Sequence, residues 1–332
     1  MHNIAYIVCS NGFGHLKRSI RISKFLIKKN INIDFFYPKK KYFKYTKKKQ
    51  KNFNIINFDT GINVNNLKKK KLNELKWVRR LPSMKKYDLI ISDNLVDVLE
   101  LNLKTILVGN FLWFKSLSSL DSNWKNYQRS LLKKFKPRII CCKYFIPSYF
   151  SKNLKKIKVG LFQEFKKKNS SKSLLIYTGT SVSLQKLFKN LLNKKIFDDL
   201  PFKKIYLDKN IYSRKYSKKF ILFNYSNKHF SDLSICFGRP SMGIIHDCLS
   251  YNVPIISFYE KDNKEMFENI KNLSKINMGL NPNNIKNAIK LIKEYSKKKN
   301  FSCFNKKCNN LEWNGDKLAA DKIIEIIKKN EI

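Results

Sequence analysis

Residues 9–21 read CSNGFGHLKRSIR, in a chain that spends only ten glycines over 332 residues. The compact apolar run IAYIV precedes this stretch, and an amphipathic pattern reaching Lys29 follows it, so the segment is a strand-to-helix turn. Gly12 and Gly14 let the backbone turn sharply and let a ligand come close where a Cβ would obstruct it. The helix that begins near His15 offers free N–H groups and a positive dipole end to an anion. The imidazole of His15 is suited to moving protons near neutral pH. Asn11, Gly12, Phe13, Gly14 and Arg18 are therefore candidates for a phosphate or acceptor loop, and His15 for a proton-transfer role. A dinucleotide fingerprint fits poorly, because Lys17 stands where a third glycine is needed, and Tyr37 and Pro38 stand where a ribose-binding acid is expected. The alternative is a plain tight turn carrying a surface histidine.

A second constellation is CFGRPSMGIIHDCLSYNVPIISFYE, residues 236–260. A strand ends at Gly238, the turn Arg239-Pro240-Ser241-Met242-Gly243 opens a helix carrying Asp247, and a new strand begins after Asn252-Val253-Pro254. This turn also aims backbone donors beyond a sheet's carboxyl edge. The Asp247 carboxylate is of a kind that accepts two hydrogen bonds from a ribose diol; the alternative is a capped helix with a solvated aspartate.

The elements that must position these groups alternate in type. Apolar runs at Ile4–Cys9, Ile31–Tyr37, Asn54–Phe58, Asp88–Ser92, Thr105–Gly109 and Arg138–Cys142 predict strands, and Leu16–Lys29, Asn94–Leu101 and Trp124–Phe135 carry a helical period. Short apolar strands separated by helices predict a parallel sheet covered on both faces, joined by right-handed crossovers. The polar stretch QEFKKKNSSKS (163–173) reads as a linker. The pattern then restarts with LLIYTGTS (174–181), a helix over Val182–Lys194, KKIYLD (203–208), KFILFNYS (219–226), DLSICFG (232–238), a helix from Met242 to Ser250 and VPIISFY (253–259). An amphipathic helix closes the chain in WNGDKLAADKIIEIIKK (313–329). The expected class is α/β, with two Rossmann-like doubly wound domains at 1–162 and 163–312 facing across a cleft, His15 at its mouth, and a final helix at 313–332.

Together the two blocks resemble a GT-B glycosyltransferase of the family 28-like group, which includes the enzyme adding N-acetylglucosamine to the lipid-linked peptidoglycan precursor. Its N-terminal signature, G-x-G-H-x-x-R after the first strand, is matched by Gly12, Gly14, His15 and Arg18. Its C-terminal signature is a small-residue turn, a helix bearing a Glu and then G-x-P; Arg239–Gly243, Asp247 and Asn252–Pro254 occupy those places. The similarity covers both domains in order and includes the final helix, which in the family packs back towards the N-terminal domain. The resemblance implies a nucleotide-sugar donor held by the C-terminal domain and an acceptor held by the N-terminal one. It implies that Gly179, Thr180 and Ser181 face the diphosphate, that Gly238, Arg239, Ser241, Met242 and Gly243 close on the donor, and that Asp247 binds ribose. Two departures stand out: Asp247 replaces the usual Glu, and the D-Q-x-x-N-A element reads Glu265-Met266-Phe267-Glu268-Asn269-Ile270, keeping an acid in Glu265 and losing the glutamine.

An inverting transfer needs a base for the acceptor hydroxyl and positive groups for the leaving diphosphate. His15, or Asp93 in IISDN at the end of the fourth strand, is placed for the first task; if the two converge, Asp93 orients the imidazole. Helix N-termini and Arg239 would serve the second. No D-x-D motif stands in a strand-end setting, so no metal and no cofactor are expected beyond the nucleoside-diphosphate sugar. The loop NFLWF (110–114) lines the acceptor site, touches a membrane or is ordinary core. His246, His229 and Trp77, Trp124 and Trp313 read as structural or packing residues.

Composition bounds the rest. The formal charge is +45, yet only eight of the 69 basic residues are arginine and the lysines are spread along the chain. Nucleic-acid readers favour arginine for bidentate and stacked contacts, so the expectation is no specific nucleic acid, with a basic nucleic-acid-binding protein as the rival class. The runs at 39–51 and 68–71 read as solvated faces, with attraction to an anionic membrane surface as a further option. Seven cysteines without a completed ligand set, Cys303 and Cys308 included, predict a reduced, metal-free chain. No apolar run approaches the roughly 20 residues that span a bilayer, and no signal-peptide pattern opens the sequence. The expected location is the cytoplasm or the inner face of its membrane. Within the same fold, a nucleotide-sugar hydrolase, an epimerase or a noncatalytic nucleotide-binding module are the rival readings.

Overall fold

The computed structural model describes residues 2–46, 51–62, 67, 76–116, 120–150, 154–166, 172–297, 308 and 310–329. Residues 47–50 of the first basic run, the run at 68–71, residues 167–171 of the linker and Cys303 lie outside the described residues. The chain divides into two compact units: Met1–Phe162 together with Asn314–Ile332, and Gln163–Trp313.

The first unit begins β1 (Asn3–Val8), α1 (Phe13–Ile27), β2 (Asn32–Phe36), α2 (Lys39–Tyr45) and β3 (Phe53–Ile56). It continues with β4 (Leu89–Asp93), β5 (Thr105–Val108), α3 (Trp113–Ser116), α4 (Ser122–Phe135), β6 (Arg138–Cys142) and β7 (Lys155–Val159). These seven strands form one parallel sheet in the order β3-β2-β1-β4-β5-β6-β7. β4 is buried along its whole length, as a strand covered on both faces must be, which is why it reads as a continuous apolar run. The second unit carries β8 (Ser173–Tyr177), α5 (Val182–Asn193), β9 (Lys204–Leu207), β10 (Phe220–Leu222), α6 (Asn227–Ser231) and β11 (Leu233–Gly238). α7 (Met242–Ser250), β12 (Ile255–Ser257), α8 (Lys264–Lys275), β13 (Gly279–Leu280) and α9 (Ile285–Tyr295) complete it. Its six strands are all parallel, in the order β10-β9-β8-β11-β12-β13. The last helix, α10 (Gly315–Lys328), belongs to the first unit and packs on α1 and β7.

Each unit has its own core. In the first, Trp77, Trp113, Trp124 and Phe111 join the strand side chains of one sheet face. In the second, Phe188, Phe197, Phe237 and Ile256 do so. Two strands escape the apolar pattern. β7 reads KKIKV, an edge strand with Lys155 and Lys158 exposed and Lys156 half-buried, and β13 is two residues long. The helical period of Asn94–Leu101 resolves to a 3₁₀ turn over Val96–Leu101, after Asn94 takes a left-handed conformation at φ 60°. Of LLIYTGTS only residues 174–177 are strand, in a strand that begins at Ser173, and of KFILFNYS only Phe220–Leu222; residues 178–181 form the loop that carries Gly179, Thr180 and Ser181.

Candidate functional site

In the first unit the groups meet where β1, β4 and β5 end side by side. β1 and β4 pair with Val8 opposite Asp93, and β4 and β5 with Asp93 opposite Val108, so the turns after these strands share one edge of the sheet. Gly12 holds φ +80° as the N-cap of α1, a conformation that disfavours residues with a Cβ. The helix starts at Phe13, two residues before the start read from the sequence. It has no side-chain cap and no acid in its first turn, so its leading amides stay unneutralised.

His15 stands in the first turn of α1, 11% exposed at its side chain, with Nδ1 2.5 Å from Oδ1 of the fully buried Asp93. Arg18 donates to the same carboxylate from Nη2 (2.6 Å to Oδ1) and Nε (3.1 Å to Oδ2), and Ser19 Oγ donates to Oδ2 at 2.9 Å. Burial alone would push the Asp93 carboxyl up, but the charges and hydrogen bonds of Arg18 and His15 outweigh it and hold it below the usual carboxylate range. The other face of the imidazole is aromatic: Trp113 lies near-parallel at 6.4 Å between centroids and Phe111 edge-on at 5.8 Å. The NFLWF segment is thus core that backs His15, with Phe111 through Phe114 all buried, and it presents no apolar patch to a membrane. Arg18 departs from its sequence reading. Its guanidinium is 7% exposed and clamped on Asp93, so it belongs to the carboxylate and not to a phosphate loop. Asn11 is half-buried, while Phe13 and Gly14 are exposed at the head of α1.

In the second unit the matching edge is formed by the turns after β8, β9, β11 and β12. Gly238 has φ +134°, and a Cβ there would lie 1.9 Å from the carbonyl oxygen of Tyr177, so only glycine lets β11 run this close to β8. Arg239 N then donates to that same oxygen at 3.0 Å. Asn269 Nδ2 donates to the Pro240 carbonyl at 2.9 Å and fixes the turn from α8. α7 follows with Ser241 as its N-cap but without a side-chain cap bond; the Ser241 hydroxyl lies 3.4 Å from Tyr177 Oη instead. By contrast α5, α8 and α9 are each capped by their own Ser181, Asn263 or Asn284. An uncapped helix start behind a glycine turn is a ready anion site.

Several sequence expectations change here. The Gly179 amide is taken by Asp208 Oδ2 at 2.9 Å, and its carbonyl accepts from Asn210 Nδ2 (2.9 Å) and Gln185 Nε2 (3.1 Å), so this loop is held from behind and its amide does not point outward. Ser181 spends its hydroxyl on the amide of Leu184, leaving Thr180 as the exposed member of the three. The Met242 side chain is buried, since it is the apolar first residue of a helix covered along its length. Asp247 sits in the second turn of α7, 7% exposed, and accepts from Gln163 Nε2 at 2.9 Å, so it is neither solvated nor wholly open to a diol. Arg239 is 10% exposed and its Nε is paired with Glu260 Oε2 at 3.3 Å. Glu265 lies half-buried in the first turn of α8.

The residues that sequence reasoning missed are Ser19, Asp208, Gln163 and Glu260. Ser19 had a signal, because positions 15, 18 and 19 fall on one helical face. Asp208, fully buried directly after β9, follows the same strand-end pattern that marks Asp93. Among the described residues no group of three or more His, Cys, Asp or Glu side chains is arranged to hold a metal ion, and no helix is long and apolar enough to cross a membrane.

No protein-family model matches the chain, and no curated protein sequence matches it. Solved structures do. The glycotransferase of kitacinnamycin is 12% identical, with 98% of this chain and 99% of that chain covered at a TM-score of 0.65. The Streptomyces sp. SF2575 glycosyltransferase SsfS6, complexed with thymidine diphosphate, is 11% identical over 98% and 100% of the two chains at 0.64. Arabidopsis thaliana UGT89C1, complexed with UDP, is 9% identical over 98% and 100% at 0.67. At such identities the likeness shows the fold, which is that of GT-B glycosyltransferases: two parallel-sheet α/β units of seven and six strands.

Proposed function

We propose that this protein is a glycosyltransferase that moves a hexosyl-type sugar from a nucleoside-diphosphate sugar to a hydroxyl acceptor with inversion. The observation that carries the reading is the buried Asp93 carboxylate, which orients the imidazole of His15 at 2.5 Å on the carboxyl edge of the first sheet. Nδ1 is engaged by Asp93, so Nε2 is the atom that takes the acceptor proton as the acceptor oxygen bonds to the anomeric carbon. The bond from that carbon to the diphosphate breaks, and the negative charge left on the phosphate oxygen needs fixed donors. The uncapped start of α7, with Ser241 and Gly243 and with Arg239 beside them, supplies these in the second unit. Asp247 and Glu265 are assigned to the ribose and sugar hydroxyls of the donor. The scheme uses no metal and no cofactor.

Two structural relatives carry UDP and thymidine diphosphate, which supports a pyrimidine nucleoside diphosphate here. The glycine-histidine-arginine signature supports kinship with the family 28-like group. A cell-surface glycan or lipid-linked intermediate is then the acceptor class, and the +45 chain would approach it at an anionic membrane surface.

A thermal-shift screen of UDP, dTDP, GDP, CDP and ADP, and of their sugars, tests this. A true donor nucleotide stabilises the fold by about 2.7 kcal/mol at a hundredfold excess over its Kd. Unchanged melting with all five nucleotides refutes the reading. With a donor in hand, product analysis with and without acceptor separates transfer from hydrolysis, and His15→Ala is expected to lose turnover while keeping donor binding.

A further inference from the structure

We propose that Arg18 and Ser19 are positioning residues for the His15 base: they fill the remaining acceptor positions of Asp93, keep it ionised and so hold the imidazole with its hydrogen on Nδ1 and Nε2 free to act. The inference rests on the base role given to His15 above. An ionised carboxylate offers about four lone-pair positions and no donor. Asp93 receives four donors, two on each oxygen: His15 Nδ1 and Arg18 Nη2 on Oδ1, Arg18 Nε and Ser19 Oγ on Oδ2. A proton on Asp93 would have to displace one of them inside a fully buried site. Asp93 therefore orients and does not relay a proton, and His15 must carry its hydrogen on Nδ1, leaving Nε2 as the basic atom.

Arg18 Nη2 and His15 Nδ1 lie within 2.6 Å of one oxygen, so the guanidinium neutralises the carboxylate at the very atom that accepts from the imidazole. The other titratable groups facing Asp93 stay neutral: burial pushes Cys9 up to about 12, and Tyr6 and Tyr37 higher still. The aromatic wall of Phe111 and Trp113 adds no charge. Among these described neighbours, Arg18 is the cation that counterbalances Asp93.

The test is made on the full chain without donor. The protein holds four histidines, so ring-nitrogen NMR of histidine-labelled material resolves each one, and His15→Asn assigns its signal. The wild-type ring is expected in the Nδ1–H tautomer. In Arg18→Met, which strips two of the four donors from Asp93, the share of Nδ1–H tautomer is expected to fall. Arg18→Lys, which keeps the charge but loses the fork, is expected to lower it less than half as far, and Ser19→Ala is expected to lower it as well. An Nε2–H tautomer in the wild type overturns the proposal, as does an unchanged tautomer share in Arg18→Met. Should Arg18→Met fail to fold, the wild-type tautomer and the Arg18→Lys and Ser19→Ala comparisons decide the matter. No donor enters this measurement, so a failed nucleotide screen beside the expected NMR result sinks the transferase reading alone.

Discussion

Replacing Asp93 with asparagine should be far more costly than its single lost charge suggests. The side chain is fully buried, and the Arg18 guanidinium it neutralises is 7% exposed. Removing one partner of a buried pair leaves an uncompensated charge and typically costs about 3–5 kcal/mol. The amide adds a second fault. Whichever way it is turned, its NH₂ faces donors: Arg18 Nε and Ser19 Oγ on one side, His15 and Arg18 Nη2 on the other. With a urea m-value of about 2 kcal/mol/M, the unfolding midpoint of the first unit should fall by about 2 M. Tryptophan fluorescence reports this unit well, because Trp77, Trp113 and Trp124 lie in it and only Trp313 lies in the other. Adding Arg18→Met removes the stranded charge, so the double variant should recover at least about 1 kcal/mol over Asp93→Asn. A loss under about 1 kcal/mol for Asp93→Asn, or strict additivity in the cycle, would refute the reasoning. In the native protein the depressed Asp93 carboxyl contributes stability above the ordinary carboxylate range, and that contribution is lost only as pH falls through its lowered folded value.

Other expectations are as direct. Asp97 has the opposite sign: burial raises it to about 6, so stability present below the unfolded value near 3.8 is lost as pH rises towards 6. Asp97→Asn, which keeps an acceptor for the Trp124 indole N–H at 3.2 Å, should stabilise the protein at pH 7 by about 1–3 kcal/mol and flatten melting temperature between pH 4 and 7; a destabilised variant at pH 7 would contradict this. Gly238→Ala must push the Tyr177 carbonyl away from a Cβ at 1.9 Å, which should cost about 2–4 kcal/mol in chemical unfolding and abolish nucleotide-induced stabilisation; wild-type behaviour would show that β8 and β11 can part freely. Arg239→Met should weaken UDP at least about tenfold by calorimetry, and equal affinity would remove Arg239 from the diphosphate site.

The strand and helix sequence was legible wherever burial on both sheet faces forces continuous apolar runs, as in IAYIV and LIIS. It failed for KKIKV, because an edge strand keeps lysines such as Lys155 and Lys158 in water without penalty, and for the two residues of β13, which are too few to show a period. Within the site, glycines and histidine announced the turn, because few residue types can do their tasks. What the sequence hid was pairing. Arg18, Gly179, Asp247 and Arg239 each have a type suited to a ligand, yet Asp93, Asp208, Gln163 and Glu260, brought in from 75, 29, 84 and 21 positions away, already engage them. Residue type declares what a group can bind; only the folded chain shows what it binds first.

The return of α10 to the first unit has a consequence for how the molecule is made. The amide of Gly315 meets the carbonyl of Leu161 at 2.8 Å, and the rings of Phe165 and Trp313 meet at a tilt with centroids 5.3 Å apart, so the outgoing and incoming segments of chain run together. The second unit is an uninterrupted insert between those two points. It can finish folding on the ribosome while the first must wait, its α1 face uncovered, for α10 to emerge.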